Sequence, residues 1–326
     1  MRPSLLFAIL ALPILASANA DYRPADPKAT REVRAVLNYL KSQQGKSLVS
    51  GQTDLKDAKW IEENTGKRPA ILGLDFMWVP KRMGNKVGDT ATAIDWAKNQ
   101  VGIVTFQWHW SSPSGASDPE SGFYSKGNQF DLAKALSDPK SSDFQGLIAD
   151  IDDVAAEIKQ LNKAKVPIIF RPLHEAQGGW FWWGSKGPEA CVKLYQIIFD
   201  RMTKHHRLHN IIWAWTAYPP SQKKGDPKQW YPGDKMVDIV ASDYCEKKNE
   251  FDELVALTEG RKMVALAETM NAPDPDKVLA ETPWAYWVTW ARRDWNSRSP
   301  DDMKRAIAHP KTITLDKLPP LAKAKR

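Results

Sequence analysis

Apolar residues recur along the chain with two different periods, and the two alternate. Residues 30–41 carry Val33, Val36, Leu37 and Leu40 at helical spacing, which predicts an amphipathic helix ahead of the first strand. Apolar runs come next at 47–53, 69–76, 101–110, 166–170, 210–217, 237–245, 263–269 and 284–290. Each is short and rich in β-branched or aromatic residues, as expected of strands buried on both faces. Helix-patterned segments lie between them: 55–64, stopped by Gly66, then 91–99, 188–208, 251–259, 274–280 and 301–308. The clearest is 146–165, where Leu147, Ile151, Val154, Ile158 and Leu161 fall on one stripe. Residues 111–142, rich in Gly, Pro, Ser and Asp, show no clear period and read as a long loop. Loops of that length in compact domains usually serve function.

Eight strands alternating with helices, with no linker or internal repeat, predict an α/β fold: a single (β/α)8 TIM barrel over residues 21–326. An open doubly wound sheet is the alternative. Its first turn would usually be glycine-rich, and Gly51-Gln52-Thr53-Asp54 is not G-x-G-x-x-G. Residues 1–20 stand apart. Arg2, an apolar core over 5–15 and Ala18-Asn19-Ala20 together read as a secretory signal peptide with its cleavage site. The core is too short to span a bilayer, and no later run is long enough. The expected product is exported, either extracellular or periplasmic, with no membrane partner.

Composition adds three constraints. Formal net charge is +7, yet the basic residues are scattered, apart from a cluster over 317–326, and no nucleic-acid-binding motif accompanies them. Solubility or attraction to anionic cell-wall polymers accounts for the charge equally well. The two cysteines, Cys191 and Cys245, lack metal-type spacing; they read as buried thiols, with a disulfide left open by the exported setting. Fifteen tryptophans are far above ordinary usage, and three of them crowd one place.

That place is the loop leaving the fourth strand. The run 166–170 ends in Arg171-Pro172-Leu173-His174-Glu175, then Gly178-Gly179, then Trp180, Trp182 and Trp183. In a barrel every strand's C-terminal end opens on one mouth, so Asp75, His109, His174, Glu175, Tyr244, Glu268 and Trp290 should meet there. Glu175 ends strand four and Glu268 ends strand seven. Two carboxyls across an aromatic-lined cleft are the equipment for glycoside hydrolysis, one protonated as acid and one ionised to attack. Flat indole faces suit the CH-rich faces of sugar rings. Zinc chemistry would want H-x-H or H-E-x-x-H spacing, and a serine hydrolase a G-x-S-x-G elbow; neither occurs. His205, His206 and His209 close a helix, where histidines usually complement the dipole. No metal or cofactor is expected.

These motifs are also recognisable together. Arg171-Pro172-Leu173-His174-Glu175 with the 178–184 run, Gln107-Trp108-His109-Trp110, Asp243-Tyr244 and Ala265-Leu266-Ala267-Glu268 resemble glycoside hydrolase family 26. The best-known members of that family are endo-β-1,4-mannanases. The resemblance implies a retaining mechanism with Glu175 as acid/base and Glu268 as nucleophile, their carboxyls about 5–5.5 Å apart. It further implies that His174 tunes the acid/base and Tyr244 holds the nucleophile. Trp180, Trp290 and His109 would contact the sugar. The chain departs from the family's common pattern at Thr269-Met270-Asn271, where a glycine is usual, and at Ala291 after Trp290. The expected partner is a β-linked polysaccharide, mannan, glucomannan or galactomannan, acted on by a monomer. Other retaining β-glycanases of the family (β-1,3-xylanase, β-1,3-1,4-glucanase) and a non-catalytic polysaccharide-binding protein are the alternatives.

Overall fold

Eight short strands, Gly51–Thr53 (β1), Ile71–Asp75 (β2), Ile103–Gln107 (β3), Ile168–Arg171 (β4), Ile211–Ala217 (β5), Ile239–Tyr244 (β6), Met263–Thr269 (β7) and Trp287–Thr289 (β8), pair in parallel and in chain order. The pairing of Gln52 with Thr289 closes the ring. The computed structural model describes residues 22–86, 88–118, 120–217, 225–244 and 247–321. The signal sequence and Cys245 lie outside these residues, and so does the Cys191–Cys245 pairing.

Side chains alternate along each strand, so each strand feeds two cores. Ile71, Ile103, Ile169, Ile212, Ile239, Met263, Ala265 and Val288 belong to the cluster that fills the barrel. Their neighbours Leu72, Val104, Phe170, Trp213, Val240 and Leu266 join the outer cluster beneath the helices. Both clusters lie out of water, which explains the uninterrupted apolar runs. Helix Arg31–Gln43, started by Thr30 accepting from the Val33 N–H, adds Val33, Val36, Leu37 and Leu40 to the inner cluster.

Three local outcomes differ from the expected elements. The run 47–53 breaks at Ser50, whose N–H and hydroxyl both donate to the Ile313 carbonyl, at 3.1 and 2.7 Å. Leu48–Val49 therefore pairs with Thr312–Ile313 outside the barrel, a strand the periodicity did not predict. The aperiodic stretch 111–142 contains a short helix, Leu132–Ser137, capped by Asp131, and the next helix begins at Ser142, capped by Ser141. Helix Pro188–Asp200 ends in a π-turn, Arg201–His205. Beyond it, His206 binds Asp152 and His209 binds Asp26, each at 2.6 Å.

Candidate active site

The strand ends build one connected polar layer across the mouth. Asp75, Gln107 and Arg171 stand in register on β2, β3 and β4. Gln107 donates to Asp75 at 3.2 Å, and Arg171 donates to Gln107 at 2.6 Å. Arg171 is almost fully buried, and its other contacts are Asp243 at 2.8 Å and Glu268. Arg171 and Asp243 each place a charge at the end of a buried strand, the one signal of them that the sequence carries; neither has a role assigned from sequence alone.

Glu268 reaches this layer because β7 is irregular. Strict alternation would send it outward with Val264 and Leu266. Ser242 pairs with Leu266 but Asp243 pairs with Glu268, so two residues of β7 oppose one step of β6. This bulge at Ala267 turns Glu268 inward, the re-aiming that bulges achieve beside active sites. Both Glu268 oxygens then accept hydrogen bonds, Oε1 from Arg171 and Oε2 from Trp290 Nε1 at 2.8 Å. Trp290 is itself fixed, its carbonyl accepting from Gln52 and from Trp295, both at 2.8 Å. Tyr244, in register with Thr269, sets its ring 5.5 Å from that of Trp290. The atypical Thr269-Met270-Asn271 loop is tied down where Ser299 donates to Asn271 Oδ1 at 2.6 Å.

Glu175 arrives through a tight turn. Leu173 and Glu175 both hold left-handed backbones, φ 57° and 52°, a strained state for such residues that persists where the surroundings over-determine it. The Gly178 N–H to the Glu175 carbonyl and Trp183 Nε1 to the His174 carbonyl, at 3.0 and 2.8 Å, close the turn. Trp180 Nε1 donates to Glu175 Oε2 at 2.9 Å. Its indole lies so close over Gly178 that a Cβ there would sit 1.8 Å from the ring.

The three tryptophans offered as sugar faces separate here. Trp182 and Trp183 are buried, their indoles donating to the Trp110 and His174 carbonyls; they support the turn. Trp180 alone is partly open and touches the acid.

Electrostatics divide the two carboxyls. Burial pushes the Glu175 carboxyl well above its usual range, and the charges of Glu268 and Asp243 push it the same way. Burial also raises Asp243, against the pull of Arg171. Arg171 hydrogen-bonds Asp243 and Glu268 but reaches Glu175 only through its charge, so its pull on Glu175 is the weaker one. Beside them runs a chain of three groups. His109 Nδ1 donates to Asp75 at 2.5 Å, and His109 Nε2 lies 3.3 Å from His174 Nε2. Burial opposes charge on His109, but Asp75 outweighs it and raises the imidazole, while His109 in turn lowers Asp75 against its own burial. Burial, His109 and Arg171 hold His174 well below its usual value, hence neutral. With 1% of its surface exposed, His174 has no open face for a sugar and packs against His109, Phe181 and Trp183. His109 is a quarter exposed and does line the mouth.

Among the described residues no group of side chains has metal-ligand geometry, and no helix is long and apolar enough to cross a membrane.

The model of glycosyl hydrolase family 26 matches residues 25–317. Mannan endo-1,4-beta-mannosidase of Thermothelomyces thermophilus is 38% identical over 90% of this chain, and the chain spans 62% of that protein's length. Among solved structures, the Podospora anserina GH26-CBM35 beta-(1,4)-mannanase superposes with a TM-score of 0.83 at 35% identity, over 91% of this chain and 68% of that one. A beta-mannanase from a symbiotic protist of the termite Reticulitermes speratus, complexed with gluco-manno-oligosaccharide, gives 0.81 at 32% identity, over 91% and 97%.

Proposed function

Because the chain belongs to glycosyl hydrolase family 26, we propose that it is a secreted, retaining endo-β-1,4-mannanase acting on mannan, glucomannan or galactomannan. The observation that carries the reading is the pair Glu175, on the turn that leaves β4, and Glu268, at the bulged end of β7, beside one buried cation, in a chain whose relatives are named as mannanases. Glu268 offers a carboxylate whose two oxygens each accept from one N–H donor, Oε1 from Arg171 and Oε2 from Trp290, the kind of partners a carboxylate takes. Glu175 is the carboxyl whose surroundings favour the protonated form.

The reaction is then a double displacement. A Glu268 oxygen bonds to the anomeric carbon as the glycosidic C–O bond breaks, and the departing oxygen takes the proton of Glu175. Water then loses a proton to the Glu175 carboxylate, bonds to the anomeric carbon from the vacated side, and releases Glu268. Trp290, Tyr244, Trp180 and His109 bound the space where that sugar lies. Tyr244 steadies Glu268 from the neighbouring strand end, and His174 backs Glu175. The leader over residues 1–20 accounts for export.

The test is reducing-sugar release by the chain from glucomannan, galactomannan, linear mannan, β-1,3-xylan and mixed-linkage glucan. Release from the mannans is the expected result. Release from xylan or glucan instead would replace the substrate, and release from none would overturn the enzymatic reading.

A further inference from the structure

Among the described residues the exposed large aromatics are Tyr124, 45% exposed, and Tyr244, 37%. Tyr244 stands beside Glu268 and is part of the site already described. Tyr124 belongs to the long loop between β3 and helix Ser142–Lys163.

Its mounting fixes its direction. Tyr124 and Phe181 form an isolated antiparallel bridge between this loop and the loop that carries Glu175. The Trp182 N–H donates to the Phe123 carbonyl at 3.1 Å, and the Ser125 N–H to the Trp180 carbonyl at 2.6 Å. These bonds flank the Tyr124–Phe181 pair rather than joining it, so the two side chains lie close together on one face. Their rings are 5.6 Å apart. Phe181 is buried, with its ring 5.1 Å from His174 and 5.9 Å from His109. The face Tyr124 shares is therefore the face toward the mouth. Phe123 backs it, 4.4 Å from Tyr124 and 4.9 Å from His109, and Ser125 Oγ to the Gly179 carbonyl, 3.0 Å, anchors the next position.

We infer that Tyr124 is a stacking platform for a sugar on the leaving-group side of the scissile bond. The side is set by the proton. Glu175 protonates the oxygen that departs, and the loop bearing Tyr124 is fastened to the loop bearing Glu175, across the mouth from Glu268. A large, open, rigidly seated ring continuous with the site fits the apolar face of a pyranose. The inference rests on the mannanase reading.

The test compares kcat/KM for mannohexaose with that for 4-nitrophenyl β-mannobioside, which has no sugar to place beyond the broken bond. Tyr124→Ala is expected to lower the ratio of the two about tenfold, equivalent to about 1.4 kcal/mol of binding, mainly through KM. Tyr124→Phe, which keeps the ring, should hold the ratio within about twofold of wild type. An unchanged ratio in Tyr124→Ala, with wild-type turnover intact, would overturn the platform alone. Equal losses on both substrates would overturn it too, by making Tyr124 a structural part of the loop. Absence of wild-type turnover on both substrates would overturn the mannanase reading and the platform with it.

Discussion

Glu268→Gly should abolish polysaccharide turnover, with kcat falling on the order of 10⁵-fold, the scale on which hydrolases lose rate with their nucleophile. The carboxylate occupies a position that nothing else on β6, β7 or β8 can fill. Asp243, its neighbour across the strand pair, is wholly buried against Arg171. The substitution leaves Arg171 and the Trp290 indole N–H facing a vacated anion site, and a small anion such as azide should enter it. With an activated aryl mannobioside, azide would attack the anomeric carbon from the same side as the lost carboxylate and yield the α-glycosyl azide. Recovery of rate with that product is the outcome to look for. Loss of less than about tenfold in kcat would place the nucleophile elsewhere.

Glu175→Gln should cost about 10³-fold in kcat on mannans, within the range general acid catalysis supplies. The loss should shrink sharply on a 2,4-dinitrophenyl mannobioside, whose leaving group needs no proton. The pH profile separates this role from simple damage. Burial, Glu268 and Asp243 hold the Glu175 carboxyl well above its usual range. The wild-type rate should therefore persist above the ordinary carboxylate range and fall only as Glu175 ionises; the variant, on the activated substrate, should lack that basic limb. Stability carries the same sign. A carboxyl raised in the folded state binds its proton more tightly there, so its contribution is full below the unfolded value and lost as pH rises through the folded one. Glu175→Gln should raise Tm relative to wild type at pH 8 and not at pH 4. A basic limb retained in the variant would remove Glu175 from the acid/base role.

Much of this site is legible without coordinates, because barrel topology brings strand ends together whatever the details. Short apolar runs alternating with helical stripes locate β2 to β7 within a few residues, and Glu175 and Glu268 then stand out as strand-end acids. What escapes depends on single hydrogen bonds or on packing that periodicity does not encode. Ser50 cuts one apolar run into two strands that belong to different sheets. The bulge at Ala267 cannot be seen in a sequence whose alternation points Glu268 the wrong way. Trp180, Trp182 and Trp183 look alike in the chain, and only burial assigns two of them to the scaffold. Arg171 is visible as a charge at the end of a buried strand, but its partner Asp243 lies 72 residues away, and that distance conceals the pair.

The reaction's stereochemistry tests the double displacement most directly. Mannopentaose hydrolysis by the wild-type chain would be monitored by proton NMR from the first minutes, with the anomeric signals of the new reducing ends resolved. The β-anomer should appear first, and the α-anomer should grow only with mutarotation. Appearance of the α-anomer first would mean a single displacement by water, and would contradict Glu268 as the nucleophile.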